Sequence, residues 1–170
     1  MFAKKLIMKK LLLPLLIIGL FFASCSDDSE DKVAEQLEKD IELIEQYLAD
    51  SNLTAQATGS GLYYIMEKEG TGDRPDIFAY VTVDFTGKLL DGSIFSEDTI
   101  ESYPLYSLIE GWQEGIQLFK EDGKGTLFIP SKLGYGTTTK VDLEGDTIIP
   151  ANSVLIFDFR LDSVELRDDL

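Results

Sequence analysis

Apolar residues recur with two different periods along this 170-residue chain, and the point where the period changes divides it. Val33, Leu37, Ile41, Ile44 and Leu48 follow one another at steps of four, four, three and four, the stripe of an amphipathic α-helix. Glu35, Glu38, Lys39, Glu42 and Glu45 fill the remaining faces. The pattern predicts a helix from about Asp31 to Asp50, stopped by Ser51-Asn52 and followed by a small polar linker, Thr54 to Ser60. From Gly61 onward the period falls to two. Leu62–Met66, Ala79–Leu89, Gly125–Pro130 and Asn152–Glu165 read as strands, with a hairpin-type turn at Asp91-Gly92. One segment breaks this run: Ile109–Phe119 puts Trp112, Ile116 and Phe119 on one helical face. Several short strands with one short helix predict an α+β domain, an antiparallel β-sheet curled around that helix.

The helix at 31–50 cannot stand alone in water unless its stripe is covered. Three arrangements cover it or do without cover: packing on the folded domain, pairing with its copy in a second chain to give a homodimer, or a mobile stalk.

The first 25 residues change the picture of where the chain resides. Lys4, Lys5, Lys9 and Lys10 precede an apolar run, Leu11–Phe22, and Phe22-Ala23-Ser24 leads into Cys25. This order reads as a secretory signal, too short and wrongly flanked for an ordinary membrane-spanning helix. Cys25 is the chain's single cysteine, so it has no internal disulfide partner, and it stands where a bacterial lipobox places the lipidated residue. Diacyl and N-acyl chains together give durable anchoring. The expected organisation is a lipoprotein signal peptide (1–24), an acidic tether (25–30), the amphipathic helix and linker (31–58) and one folded domain (59–170). The expected location is the bacterial cell envelope, lipid-anchored to the outer membrane on its periplasmic or surface side. The acidic tether is either a self-repelling spacer or a surface-export signal.

Charge then narrows the partners. The formal net charge is −16, and removing the four lysines of residues 1–24 leaves 11 basic residues against 31 acidic ones, a net of −20. Such a surface repels phosphate backbones, so no nucleic-acid partner is expected. The sequence has no histidine, which excludes Ser-His-Asp and Cys-His catalysis and the usual histidine metal sites; no metal or cofactor is implied.

Four strings carry the candidate chemistry: VDFTG (Val83–Gly87), LLDGSIF (Leu89–Phe95), GWQEG (Gly111–Gly115) and IIPANSVLIFDFRL (Ile148–Leu161). Their content and order resemble the FK506-binding-protein (FKBP) family of peptidyl-prolyl cis/trans isomerases, over about Gly59 to Arg167. The resemblance implies the same antiparallel fold and an aromatic pocket for a proline ring in a polypeptide substrate. It assigns catalytic positions to Phe85, Phe95, Trp112, Tyr135 and Phe157, with Trp112 as floor and Tyr135 offering its hydroxyl. Substrate-binding positions fall on Leu105, Leu108, Ile109, Ile149 and Ser96, with the Ile109 N–H holding a carbonyl and Leu105 or Tyr106 replacing a pocket aromatic. Two residues depart from the family pattern. Phe85 stands where Tyr is common and Ser96 where Asp is common, while Glu97 should point to the opposite face of its strand. Three functions are compatible with this reading: an isomerase assisting the folding of exported proteins, a catalytically weak binding or chaperone module, and an envelope assembly factor.

Overall fold

The computed structural model describes residues 28–167. The signal-like segment and Cys25 lie outside the described residues. Helix α1 spans Asp28–Asp50, so it begins three residues before the predicted start and takes in the end of the acidic segment. It stops as the sequence predicts. Asn52 adopts a left-handed φ of 54°, and its N–H and that of Leu53 return to the carbonyls of Ala49 and Leu48 (3.1 and 2.8 Å). Asn tolerates this backbone, and the two bonds satisfy carbonyls that a bare helix end would leave open.

Among the described residues six strands form one antiparallel sheet: β1 (Gln56–Ala57), β2 (Tyr63–Lys68), β3 (Tyr80–Leu89), β4 (Ile94–Pro104), β5 (Lys124–Ile129) and β8 (Leu155–Glu165), in the spatial order β1-β2-β5-β8-β3-β4. A separate small hairpin joins β6 (Lys140–Val141) to β7 (Thr147–Ile149). Helix α2 (Glu110–Ile116) lies against the sheet's inner face, and α1 packs on the outer face.

The period-two pattern decides which residues face which helix. Along β8, Leu155, Phe157, Phe159 and Leu161 point inward, where they join Val81, Val83, Leu127, Ile129, Trp112, Ile116 and Phe119 in the main core. The intervening Ile156 faces outward with Phe128 and Val154, and these three receive Ile44 and Leu48 of α1. The helix stripe is therefore covered by the chain's own sheet over its C-terminal half.

Two sequence expectations change here. The helix expected over 109–119 ends at Ile116, and Phe119 reaches the core from the turn that follows, its N–H donating to the Ile116 carbonyl (3.1 Å). The strand implied after the Asp91-Gly92 turn runs for 11 residues as β4, an extent not assigned from the sequence. Among the described residues it is an edge strand paired with β3 alone, and it is interrupted twice. Pairing runs from Gly87↔Ser96 directly to Lys88↔Ile94, which leaves Phe95 as an extra residue, and the register shifts again between Val81↔Tyr103 and Val83↔Ile100. Bulges of this kind bend and twist an edge and erase its alternation, and the exposed Glu97, Asp98 and Glu101 guard it against further pairing.

Candidate active site

Helix α2 can sit unusually close to the sheet because its two glycines face β5. A Cβ on Gly111 would lie 2.4 Å from Ile129 Cγ2, and one on Gly115 would lie 2.6 Å from Leu127 Cδ1. The spacing of four in GWQEG puts both on one helix face. That approach pushes Trp112, 2% exposed, against the rings of the sheet. Trp112 stands edge-on to Phe85 and to Phe157, each with a centroid distance of 5.1 Å and interplanar angles of 86° and 88°. Phe85 and Phe157 are 5.8 Å apart, and Phe95 meets Phe157 edge-on at 5.5 Å. Edge-to-face pairs of this sort contribute about 0.5–1.5 kcal/mol each beyond their buried area.

Gly87 completes the box by having no side chain. A Cβ there would come within 2.5 Å of Phe95 and 2.9 Å of Phe157, so the glycine of VDFTG is the space in which the two rings meet. The bulge at Phe95 has a second effect. It turns the consecutive residues Phe95 and Ser96 to the same side, where strict alternation would separate them.

These rings line a cavity of about 530 Å³ together with Ser96, Ile100, Ser107, Leu108, Ile109, Tyr135, Ile149 and the outer hairpin residues Lys140, Val141 and Ile148. Nine of the ten residues singled out from the sequence are thus brought together, Phe85, Phe95, Ser96, Leu108, Ile109, Trp112, Tyr135, Ile149 and Phe157. Leu105 is not among them. It opens the 3-10 turn Leu105–Ser107, its N–H donates to the Ala79 carbonyl (3.0 Å), and its side chain is turned into the core with no exposure. Tyr106 points out of the site and leans on Phe78, with ring centroids 6.5 Å apart. Ser107 and Leu108 of the same segment reach the cavity in their place, and Ile100 of β4 adds a further wall.

Donors are few and specifically placed. Ile109 precedes α2, and its carbonyl accepts from the Trp112 and Gln113 N–H groups (2.9 and 3.0 Å). Among the described residues nothing accepts from its own N–H. The Gln113 amide fixes this edge by donating to the carbonyls of Leu108 (2.7 Å) and Tyr106 (3.1 Å). Tyr135 lies half-buried at the rim, and burial pushes its hydroxyl above the ordinary tyrosine value, so the group remains a neutral donor. Its hydroxyl has no hydrogen-bond partner among the described residues, and Lys140 Nζ sits 4.4 Å from its ring centroid. Glu97 stays outside, as alternation along the strand predicts, and lines a different groove with Asp84 and Asp158. No carboxylate lines the aromatic cavity among the described residues.

Sequence reasoning missed Ile100, Ser107, Lys140, Val141 and Ile148. A signal for three of them existed. Asp142-Leu-Glu-Gly-Asp146 is a turn flanked by Lys-Val and Thr-Ile-Ile, which is a hairpin pattern. In the structure Asp142 Oδ1 accepts from the Glu144 and Asp146 N–H groups (3.0 and 2.8 Å), and the register sets Lys140 opposite Ile149.

Comparison with known proteins places this geometry. Residues 72–162 match a family model described as FKBP-type peptidyl-prolyl cis-trans isomerase. The chain is 42% identical over 127 residues to the isomerase FkpA of Aeromonas hydrophila, which covers 71% of this chain and 45% of that one. A probable FkpA of Neisseria meningitidis serogroup B is 40% identical over 110 residues, covering 62% and 39%. This chain therefore spans less than half the length of those relatives. Among solved structures, FkpA from Escherichia coli superimposes with a TM-score of 0.63 at 31% identity, over 81% of this chain and 63% of that one. A peptidyl-prolyl cis-trans isomerase from Pseudomonas syringae pv. tomato gives a TM-score of 0.63 at 27% identity, over 76% and 96%.

Proposed function

Because the chain belongs to the family of FKBP-type peptidyl-prolyl cis-trans isomerases, we propose that its aromatic cavity catalyses rotation about X-Pro bonds in polypeptides at the bacterial cell envelope. The observation that carries the reading is the box itself, a buried tryptophan flanked edge-on by Phe85 and Phe157 beneath an opening with two unpartnered donors.

The barrier to rotation is ~18–20 kcal/mol because the amide C–N bond is a partial double bond. Twisting it removes the resonance and leaves a less polar amide with a pyramidal nitrogen. A dry aromatic wall solvates the planar, dipolar amide poorly and the twisted one comparatively well, so the difference between the two states lowers the barrier. Trp112 carries the proline ring, while Phe85, Phe95, Phe157 and Ile149 exclude water around it. The Ile109 N–H holds one substrate carbonyl and the Tyr135 hydroxyl another, which fixes the peptide while the bond between them turns. No nucleophile, metal or imidazole enters the step.

Ser96 and the missing carboxylate favour a second reading, a module that binds proline segments and turns them over slowly. Cis/trans exchange of a short X-Pro peptide, followed by magnetisation transfer in the presence of the full chain, separates the two. Acceleration supports the isomerase; binding without acceleration leaves the binding module.

The N-terminal sequence supports attachment at Cys25, with the domain tethered by lipid to the outer membrane and exported, proline-containing polypeptides as clients. A homodimer through α1 would use the exposed Val33 (44%), since Ile44 and Leu48 lie on the chain's own sheet. Equal sedimentation of the native chain and a Val33→Asp variant would remove it.

A further inference from the structure

Asp40 is a carboxylate with no exposure in a helix that lies wholly outside the residues matched by the family model. Burying a charge costs several kcal/mol unless it is paired or hydrogen-bonded, so its two bonds are informative. Asp40 Oδ2 accepts from the backbone N–H of Ser131 at 2.7 Å, and Oδ1 accepts from Gln36 Nε2 at 2.8 Å. One partner belongs to the same helix. The other opens the 3-10 turn Ser131–Leu133, 91 residues away, and is itself 2% exposed.

Ser131 is the hub of the loop that presents Tyr135. Its carbonyl accepts from the N–H groups of Gly134 (3.0 Å) and Gly136 (2.8 Å), the two neighbours of Tyr135 in the chain. The Gly136 carbonyl in turn accepts from the Asn152 N–H (2.7 Å). One carboxylate oxygen thus holds the residue whose carbonyl holds both sides of the cavity's tyrosine. Pro130, just before the turn, has no N–H of its own to offer the carboxylate.

We propose that Asp40 is a positioning residue for the reaction, acting through Ser131 to set the Tyr135 hydroxyl over the cavity, so that α1 is a working part of the active site. The proposal rests on the isomerase reading above, and it makes activity depend on a segment that the family domain does not contain. A misplaced donor at the rim costs rate more than folding.

The test is a double-mutant cycle in the full chain, with Asp40→Ala, Tyr135→Phe and the pair, read as kcat/KM for X-Pro exchange. Asp40→Ala is expected to lower kcat/KM on the order of tenfold, and the double variant to be no slower than Tyr135→Phe alone. Asp40→Asn keeps an acceptor for Ser131 while its amide donates to a turned Gln36, so it should restore activity. Wild-type kcat/KM in Asp40→Ala, or losses that multiply in the double variant, overturns the proposal. Should Asp40→Ala not fold, Asp40→Glu, which displaces the carboxylate by one methylene, takes its place in the same cycle with the same criteria. If the native chain accelerates nothing, the isomerase reading fails separately. The same cycle is then read as affinity for the peptide by Trp112 fluorescence: non-multiplying losses keep the positioning role and multiplying losses remove it.

Discussion

The two faces of the sheet are built by opposite means. On the inner face a seven-residue helix, α2, is embedded by glycines that let it touch β5, and almost every residue around it is buried. On the outer face a 23-residue helix, α1, carries its own Schellman stop and an exposed acidic surface, and it touches the domain along one side, through Leu37, Ile41, Ile44, Tyr47 and Leu48 with hydrogen bonds from Asp40 and Glu45. A short helix of seven residues has no stability of its own and exists because the core surrounds it. The long one supplies part of its stability locally and borrows the rest. Damage to the inner face should therefore destabilise the whole domain, while damage to the outer face should loosen α1 and the Ser131–Tyr135 loop it holds and leave the aromatic core folded.

Phe157→Ala is expected to have the largest effect. The ring is 4% exposed and contacts Phe85, Phe95 and Trp112, so removing it opens a cavity in the core and takes a wall from the site. A loss of about 3–5 kcal/mol in urea unfolding is expected, together with loss of the proposed isomerase activity. Ile44→Ala should cost less, about 2–3 kcal/mol for the docking of α1, near the low end for a buried Ile. Hydrogen exchange locates the loss: faster exchange in α1 with α2 unchanged keeps the contrast between the faces. Equal acceleration in both helices would show that the two faces unfold as one.

The same contrast explains what could be read in the sequence. The apolar stripe of α1, its stop at Asn52, and the alternation of β3 and β8 were legible because each obeys one period over many residues. The cavity residues of α2 and β3 were legible because they sit in strings whose glycines have a steric reason to be there, Gly87, Gly111 and Gly115. The length of β4 was hidden by its bulges, and with it the inward position of Ile100. Leu105 was misplaced because a backbone bond to Ala79, invisible in the sequence, rotates its turn into the core. Asp40 was overlooked although a local signal existed: it stands three residues after Leu37 and four before Ile44, at the edge of the apolar stripe, while the glutamates fill the other faces. Its partner, a backbone N–H 91 residues along the chain, was not legible.

Ser96→Asp probes the inner face without breaking it. Ser96 is half-buried at the cavity rim, where the extra residue of the bulge turns it inward beside Phe95. A carboxylate there restores the residue type common in the family at this position and adds the charge that the cavity lacks. An increase of a few-fold in kcat/KM, with unfolding changed by less than about 1 kcal/mol as for most partly exposed substitutions, is the expected result. Unchanged activity would mean that the serine is not what limits turnover.

The smallest expected effect lies on the outer face and depends on pH. Tyr63 of β2 donates its hydroxyl to Glu45 of α1 at 2.7 Å. Burial first, and then this bond to a carboxylate, pushes its pKa up from 10.0 to about 12. Ionised Tyr63 could not donate, and it would face the Glu45 charge directly. The folded state therefore binds the phenolic proton more tightly than the unfolded chain does, so the contribution to stability is complete below pH 10 and is lost as pH rises from there toward 12. Because Glu45 belongs to α1 and Tyr63 to the sheet, the loss should appear as weaker docking of α1 with the aromatic cavity intact. Far-ultraviolet circular dichroism and Trp112 fluorescence, followed together through an alkaline titration, report the two faces separately. Helical signal should fall before the tryptophan signal moves, and Tyr63→Phe should remove that alkaline step while leaving docking below pH 10 weaker by one hydrogen bond. Simultaneous loss of both signals in the native chain would mean that α1 and the aromatic cavity are one cooperative unit, and the contrast between the two faces would fail.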